Sequence, residues 1–426
     1  MHLEAAEAAL KKGDICDGCL GRCFGDRDDD LSNEARGEAL RRSVAMGHDE
    51  PIAHIDPIDC WVCEGARPDV NTWTARVIEA VADITFETFQ VGTRLPSSIE
   101  EREAELREAA GLEADAGVPL NTEYNRAVGT RLEGRLDAEV DFDYPDVVMI
   151  LDVESADVEL QLNPAYLGGR YRKLEPGLDQ RIRICRVCNG GGTEWRDGQS
   201  MPCDACDGTG YDTKESIEWY ITESVQDAMD GTEVIFNAAG REDKEVLVLG
   251  EGRPFVIEVK EARFRPPDMT QIRELIATAS DQVIAVDGLA KAKRGLVEHL
   301  TQTPVRETYR LEVSFAEAVS AEAFATAIEE LDEGSVRQRV ERGERVTDQI
   351  RKLSEVGGEL TNDKTAVVEM VATKGISLEA LMVGGSDRSE PSLADLVASD
   401  VSLESIAVVA VDGEDEPLEL TSYLIS

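Results

Sequence analysis

The chain has 426 residues, 42% of them hydrophobic and only 5% aromatic, enough to bury cores in roughly two to four domains. Its 87 acidic residues against 44 basic ones give a formal charge of -43, and such a surface repels nucleic acid and anionic membranes in dilute buffer. The acid is spread along the chain and not gathered in a tail. That fits a folded protein of a salt-rich cytoplasm, where molar salt shortens the screening length to roughly 3 Å; acidity then reports the solvent and not the partner. No apolar run reaches the ~18 residues of a membrane span, and the first residues lack a signal peptide's apolar core. The expectation is a soluble, cytoplasmic protein with no membrane partner.

In chain order, residues 1–65 read as a small N-terminal zinc-binding unit opened by the amphipathic helix "MHLEAAEAALKK". Residues 66–165 read as a compact α+β domain. In it "WTARVIEAVADI" and "IEEREAELREAAG" are helices, "TFQVGTRLP" is a strand, and "DVVMILDVESADVELQL" is two strands joined by a turn. Residues 166–215 form a basic connector with further cysteines, and 216–426 a larger block. There "TEVIFNA", "EVLVLG", "FVIEVKEARF", "ETYRLEVSF", "AVVEMVATKG" and "SIAVVAVDG" alternate as strands. "DMTQIRELIATA", "SAEAFATAIEEL" and "ERVTDQIRKLSEV" have helical spacing. The fold class is α+β: a mixed, mostly antiparallel sheet with helices packed on it, plus a zinc-containing accessory domain.

Eight of the nine cysteines fall into CxxC pairs: Cys16/Cys19, Cys60/Cys63, Cys185/Cys188 and Cys203/Cys206. An intracellular chain needs a reason for them other than disulfides, and four thiolates from two tight turns match tetrahedral structural zinc. In the second set, "CRVCNGGG" and "CDACDGTG" both carry glycines that free the backbone to turn amides toward sulfur. The alternative is a redox-active CxxC, though a lone redox pair needs no partner pair. Cys23 reads as a buried thiol. Other signatures fail. No GxGxxG follows a strand. "DRDDDL" (Asp26–Leu31) begins like a calcium loop but has Leu31 where glycine must turn. "GGSDRS" (Gly384–Ser389) matches a pyrophosphate loop only faintly.

Between the CxxC sets lies "GGRYRKLEPGLDQRIRICR", which gathers Arg170, Arg172, Lys173, Arg181, Arg183 and Arg186 in an otherwise acidic chain. Arginines alternating with Tyr171 suit phosphate contact and base stacking; the competing reading is an internal salt-bridged strand. Further on, "NAAGREDKEVLVLGEGRPFVIEVKEARF" (Asn237–Phe264) repeats Gly-Arg at Gly240-Arg241 and Gly252-Arg253 around one acidic turn.

Here the sequence resembles a known family. "GRED…LGEGRPFVIEV" is similar to the catalytic signature of the archaeal and eukaryotic tRNA pseudouridine synthases that modify uridines 54 and 55 of the T-arm. "NPAYLGGRYRKLEPGLDQ" resembles their accessory-to-catalytic junction, "ETYRLEV" (Glu307–Val313) their KxYRxLV strand, and "DRSEPSLADLV" (Asp387–Val397) their GRTxPSLxxLL segment. The N-terminal CxxC pairs and a THUMP-like RNA-binding domain also match. The resemblance implies a tRNA T-arm substrate, zinc only as structural metal and no organic cofactor, and no obligatory protein partner is evident. It implies that Asp243 adds covalently to the sugar or base after the uridine is flipped out. Arg241 would hold phosphate or fill the vacated space, and Tyr309 would stack on the uracil and move a proton. Arg253 is expected to contact phosphate or carboxylate, with a structural salt bridge as the alternative, and Arg388 joins the RNA contacts. The runner-up function is a non-catalytic, zinc-stabilised tRNA-binding or tRNA-folding protein.

The chain also departs from the pattern. Lys244, Glu245 and Leu247 stand where the family carries an apolar residue, Asp and Arg. In "GISLEAL" (Gly375–Leu381), Ser377 replaces a usual Tyr and Glu379 a usual basic residue, which removes an expected ion-pair partner of Asp243. The stretch "QRVERGERVTDQIR" loses basic residues that the family keeps.

A charge of -43 predicts self-repulsion in low salt. Melting followed by circular dichroism should show the midpoint rising steeply from dilute buffer to molar potassium chloride; a flat midpoint would remove the high-salt reading of the composition.

Overall fold

The structure, a computed structural model, describes residues 2–25, 31–196, 198–332, 335–342, 345–373, 375–384 and 388–425. Most of the Asp26–Leu31 run, the centre of Gly384–Ser389 and Asp387 lie outside the described residues. The chain divides into two compact units, Met1–Pro164 with Glu261–Pro266, and Ala165–Lys260 with Pro267–Ser426. Among the described residues no helix is long and apolar enough to cross a membrane.

The first unit contains α1 (His2–Lys12), α2 (Asp17–Cys23), α3 (Asn33–His48), α4 (Val70–Ala80), β1 (Thr88–Arg94), α5 (Ser97–Ala109), α6 (Leu120–Glu133), β2 (Glu139–Val140), β3 (Val147–Asp152) and β4 (Asp157–Leu162). Ser32 starts α3 by accepting a hydrogen bond from Ala35 N, and Asp69 starts α4 by accepting one from Thr72 N. The sheet runs β2-β1-β3-β4, with β1 parallel to both neighbours and β4 antiparallel to β3. Alternate residues Val147, Met149 and Leu151 point inward. They share one core with Ala6 and Ala9 of α1, Trp73 and Val77 of α4, and the four thiols Cys16, Cys19, Cys60 and Cys63. The boundary expected at residue 65 falls inside one compact unit, whose core draws on residues from both sides of it. Cys23 is buried as expected, and burial pushes its thiol up to about 12.

The second unit opens with β5 (Ala165–Lys173), then β6 (Arg183–Ile184), β7 (Thr193–Arg196), β8 (Gln199–Pro202) and β9 (Tyr211–Thr213). It continues with α7 (Ile217–Met229), β10 (Glu233–Ala238), β11 (Leu247–Lys260), α8 (Met269–Ala279), β12 (Ile284–Ala292), α9 (Gly295–Gln302), β13 (Val305–Phe315) and α10 (Ala321–Asp332). Last come β14 (Ser335–Arg342), β15 (Arg345–Asn362), β16 (Thr365–Thr373), α11 (Leu378–Val383), β17 (Ser389–Glu390), α12 (Leu393–Val397), β18 (Val401–Gly413) and β19 (Leu424–Ile425). The large sheet is ordered β17-β14-β15-β16-β13-β18-β11-β5-β12-β19, with β10 also paired to β11. Of its pairings only β11 with β18 is parallel, so the expected mixed, mostly antiparallel sheet stands.

Two expectations change. β5 lies between β11 and β12, so the supposed connector of residues 166–215 begins as an interior strand of the sheet. The helix expected at "ERVTDQIRKLSEV" is instead strand β15 from Arg345 on, its first half paired with β14 and its second half with β16. Its apolar spacing suits a helix, but Ile350 is 73% exposed. Pairing with two alternating strands decides the backbone here, and local spacing does not.

Candidate active site

The antiparallel pair β10/β11 separates after Ala238, and the Gly-Arg-Glu-Asp turn fills the gap before Leu247. Gly240 sits at φ +80°, and a Cβ there would lie 2.5 Å from Arg253 Nη1 and 2.9 Å from Glu307 Oε1. Glycine is required on both counts. Beneath the turn Arg253 is fully buried between two carboxylates: its Nε lies 2.7 Å from Glu242 Oε2 and its Nη1 2.5 Å from Glu307 Oε1. Nη1 also donates to Ala239 O at 2.6 Å. Burial opposes the Arg253 charge, but Glu242, Tyr171 and Glu307 outweigh it and raise its pKa.

Glu242 is further held by the Tyr171 hydroxyl, which donates at 2.8 Å, and by Gln180 Nε2, which donates at 3.0 Å. Lys173 Nζ donates to the carbonyls of Leu178, Asp243 and Lys244 at 3.0, 3.1 and 3.0 Å, which ties the turn to β5. Burial pulls the Lys173 ammonium below the usual lysine value. With Glu242 drawn inward, its neighbours Arg241 and Asp243 are exposed. They open on a cleft of about 670 Å³ that is also lined by Arg181, Tyr309, Ser377 and Glu379.

Tyr309 stands two residues after Glu307 on β13, on the same face of the strand, and its hydroxyl donates to Glu307 Oε2. Burial, reinforced by the Glu307 carboxylate, pushes the phenol well above its ordinary pKa. Asp243 and Arg241 thus share one cleft with Tyr309, which lies far along the chain. Glu379 lines the cleft too, in the first turn of α11, where the Ser377 hydroxyl caps the helix by accepting from Ala380 N.

The basic residues divide differently from expectation. Lys173 is buried with its ammonium held by three carbonyls, and Arg253 is buried between two carboxylates, with its Nη2 left without a hydrogen-bond partner; neither offers itself to a phosphate, and Arg253 takes the salt-bridge alternative. Arg170 donates to Gly252 O at 3.1 Å, Arg172 pairs with Asp287 at 2.8 Å, Arg181 with Glu218 at 3.1 Å, and Arg183 with Asp179 at 2.8 Å. Much of the island is therefore internal bracing. Among the described residues, Arg241 has no ion-pair partner, and Arg388 is exposed.

Each cysteine set forms one cluster, Cys16, Cys19, Cys60 and Cys63, and Cys185, Cys188, Cys203 and Cys206, with sulfurs mutually within 4.8 Å. The Cys16–Cys63, Cys185–Cys203 and Cys188–Cys206 separations are 3.9, 4.0 and 3.7 Å. Sulfurs each about 2.3 Å from a tetrahedral ion would be roughly 3.8 Å apart, so the donor sets fit zinc. Gly192 N and Gly210 N donate to Cys188 and Cys206 Sγ at 3.3 and 3.2 Å, as the CxxCxGxG spacing leads one to expect. In the first unit the buried Arg22 donates to Cys19 Sγ at 3.1 Å and pairs with Glu103 and Glu123 at 3.2 Å each.

Residues 166–412 match the family described as Pus10, C-terminal, and residues 73–152 the archaeal Pus10 THUMP domain. The chain belongs to the Pus10 family. It is 42% identical to the tRNA pseudouridine synthase Pus10 of Halorubrum lacusprofundi, over 99% of both chains. It is 32% identical to that of Methanopyrus kandleri, over 96% of this chain and 98% of the other. The THUMP match falls on the α4-to-β3 segment, and the C-terminal match spans β5 to β18.

The supports of the Pus10-type turn are the features least visible in the sequence. Gln180 and Glu307 carry no signal in an acid-rich chain, while Tyr171, read from the sequence as a base-stacking ring, is fully buried and braces Glu242 instead.

Arg253→Met would leave Glu242 and Glu307 buried without their shared cation, at a cost of about 3–5 kcal/mol. Arg241→Met, on the exposed side of the same turn, should stay within about 0.5 kcal/mol of the parent. Urea unfolding of both in molar potassium chloride measures the contrast; equal losses would contradict the two placements.

Proposed function

We propose that the chain is a tRNA pseudouridine synthase that isomerises uridine in the T-loop, at position 54, 55 or both, with Asp243 as nucleophile. The observation that carries this is the cleft lined by both the exposed Asp243 and Tyr309, in a chain of the Pus10 family. The reaction must break a C1′–N1 bond and make a C1′–C5 bond, so an oxygen nucleophile has to add and later depart. Asp243 suits that role: its carboxylate has no hydrogen-bond partner among the described residues, while its backbone carbonyl is fixed by Lys173. The target base must leave its stack to reach the cleft. Tyr309 offers a ring face, and Arg241 a free cation for the flanking phosphate or for the space the base vacates. Arg388 and the exposed parts of the arginine island extend the same contact.

The two cysteine clusters are proposed to hold structural zinc: every donor is sulfur, and seven of the eight cysteines are buried. Zinc there fixes two loops and takes no part in the chemistry, which needs no organic cofactor.

An unmodified tRNA transcript incubated with the full chain in molar potassium chloride should give carbodiimide-dependent primer-extension stops in the T-loop. Asp243→Asn should remove them while still binding the tRNA. Tight binding without stops in the parent would instead favour a non-catalytic tRNA binder. Metal analysis should find two zinc ions per chain, and Cys188→Ser should lose one of them with a lowered melting midpoint.

A further inference from the structure

We propose that Glu307 is a positioning residue of the isomerisation, holding the Tyr309 hydroxyl and taking up its proton as Tyr309 removes hydrogen from carbon five of the uracil. The inference rests on the enzyme reading above and goes beyond it in assigning where that hydrogen goes.

Once C1′ has bonded to C5, the ring carries both the sugar and a hydrogen on that carbon, with a C6–N1 double bond. To reach product the C5–H bond breaks. Its electron pair forms the C5–C6 double bond, the C6–N1 π pair moves to N1, and N1 takes a proton from water. The departing C5 proton needs an acceptor in the cleft. Asp243 has left C1′ by then and is again a carboxylate, so the Glu307 variants below decide between the two acceptors. Tyr309 lines the cleft, but a neutral phenol can accept a proton only if its own leaves at the same time; otherwise it becomes an oxonium. Burial together with the Glu307 carboxylate keeps it neutral, so phenolate is no ready substitute. Among the described residues the acceptor that the Tyr309 hydroxyl reaches is Glu307 Oε2.

The network around Glu307 suits the task. Its other oxygen is anchored 2.5 Å from Arg253 Nη1, and its side chain is 10% exposed, so it cannot swing away or exchange freely with water. Glu242, the second carboxylate on Arg253, is engaged by Tyr171, Gln180 and Arg253 and does not contact Tyr309. A proton arriving from the cleft side therefore stops at Glu307. On release of product it returns to Tyr309, which passes one to water.

The test is single-turnover pseudouridine formation on tRNA transcripts made with ordinary or C5-deuterated uridine, using the full chain in molar salt. Loss of a positioned base typically costs about 100-fold or more. Glu307→Gln keeps the shape and a hydrogen-bond acceptor, so it should fold, yet it should slow turnover by about that factor and bring out a primary deuterium effect absent in the parent. Tyr309→Phe leaves the Glu307–Arg253 pair intact and should show the same isotope effect. The double variant should be no slower than the slower single variant, since both cut one relay. A Glu307→Gln rate equal to the parent overturns the proposal. So does a slow variant with no isotope effect and a lowered unfolding midpoint, which would leave Glu307 as an ion-pair partner only. Absence of pseudouridine in the parent reaction would overturn the enzyme reading and this proposal with it, and is told apart by the parent control alone.

Discussion

A guanidinium buried between two carboxylates sets the geometry of the cleft. Arg253 rises from β11 with none of its side chain exposed and touches Glu242 on the turn and Glu307 on β13. It thereby ties two pieces of chain, residues 239–246 and the start of β13, to one buried cation. Charges out of water are costly unless each is met by another. That cost makes the arrangement specific: moving either glutamate away leaves an unmatched charge in the interior. Asp243 and Tyr309 inherit their positions from this cluster, one residue and two residues away from its members.

The surface charge and the interior arginines answer to the same screening. In molar salt a phosphate-binding arginine exerts little pull beyond about 3 Å, so long-range attraction for nucleic acid is weak whatever the net charge. Buried pairs are screened far less. Most of the basic island of residues 170–183 is engaged in such short internal contacts, with Glu218, Asp179, Asp287 and the Gly252 carbonyl. Arg241 stands apart as a cation at the cleft with no ion-pair partner among the described residues. Recognition that survives high salt leans on shape, stacking and contacts at hydrogen-bond distance.

The cysteine clusters solve a different problem in each unit. In the first, the thiols belong to the core that α1 through β3 share, and the buried Arg22 places a cation against Cys19. In the second, Cys185, Cys188, Cys203 and Cys206 form a small core of their own in an excursion whose strands are two to four residues long. Such short pairs are not stable by themselves, so crosslinking through sulfur is what can hold them.

The sequence by itself determined the elements with strong periodicity, the cysteine pairing and the turn that bears Asp243. Apolar alternation, CxxC spacing and the Gly-Arg-Glu-Asp string are local, and local chemistry is what a sequence displays. It misassigned "ERVTDQIRKLSEV", whose helical spacing yielded to strand pairing, and it read Lys173 as an RNA contact and left Arg253 between phosphate and a salt bridge, where the structure buries both. It could not show that Glu307 faces Arg253 across 54 positions of chain, nor that residues 1–65 and 66–164 share a core. Those outcomes belong to the tertiary structure, because whether a charge is buried or a strand is paired depends on which distant segment arrives beside it.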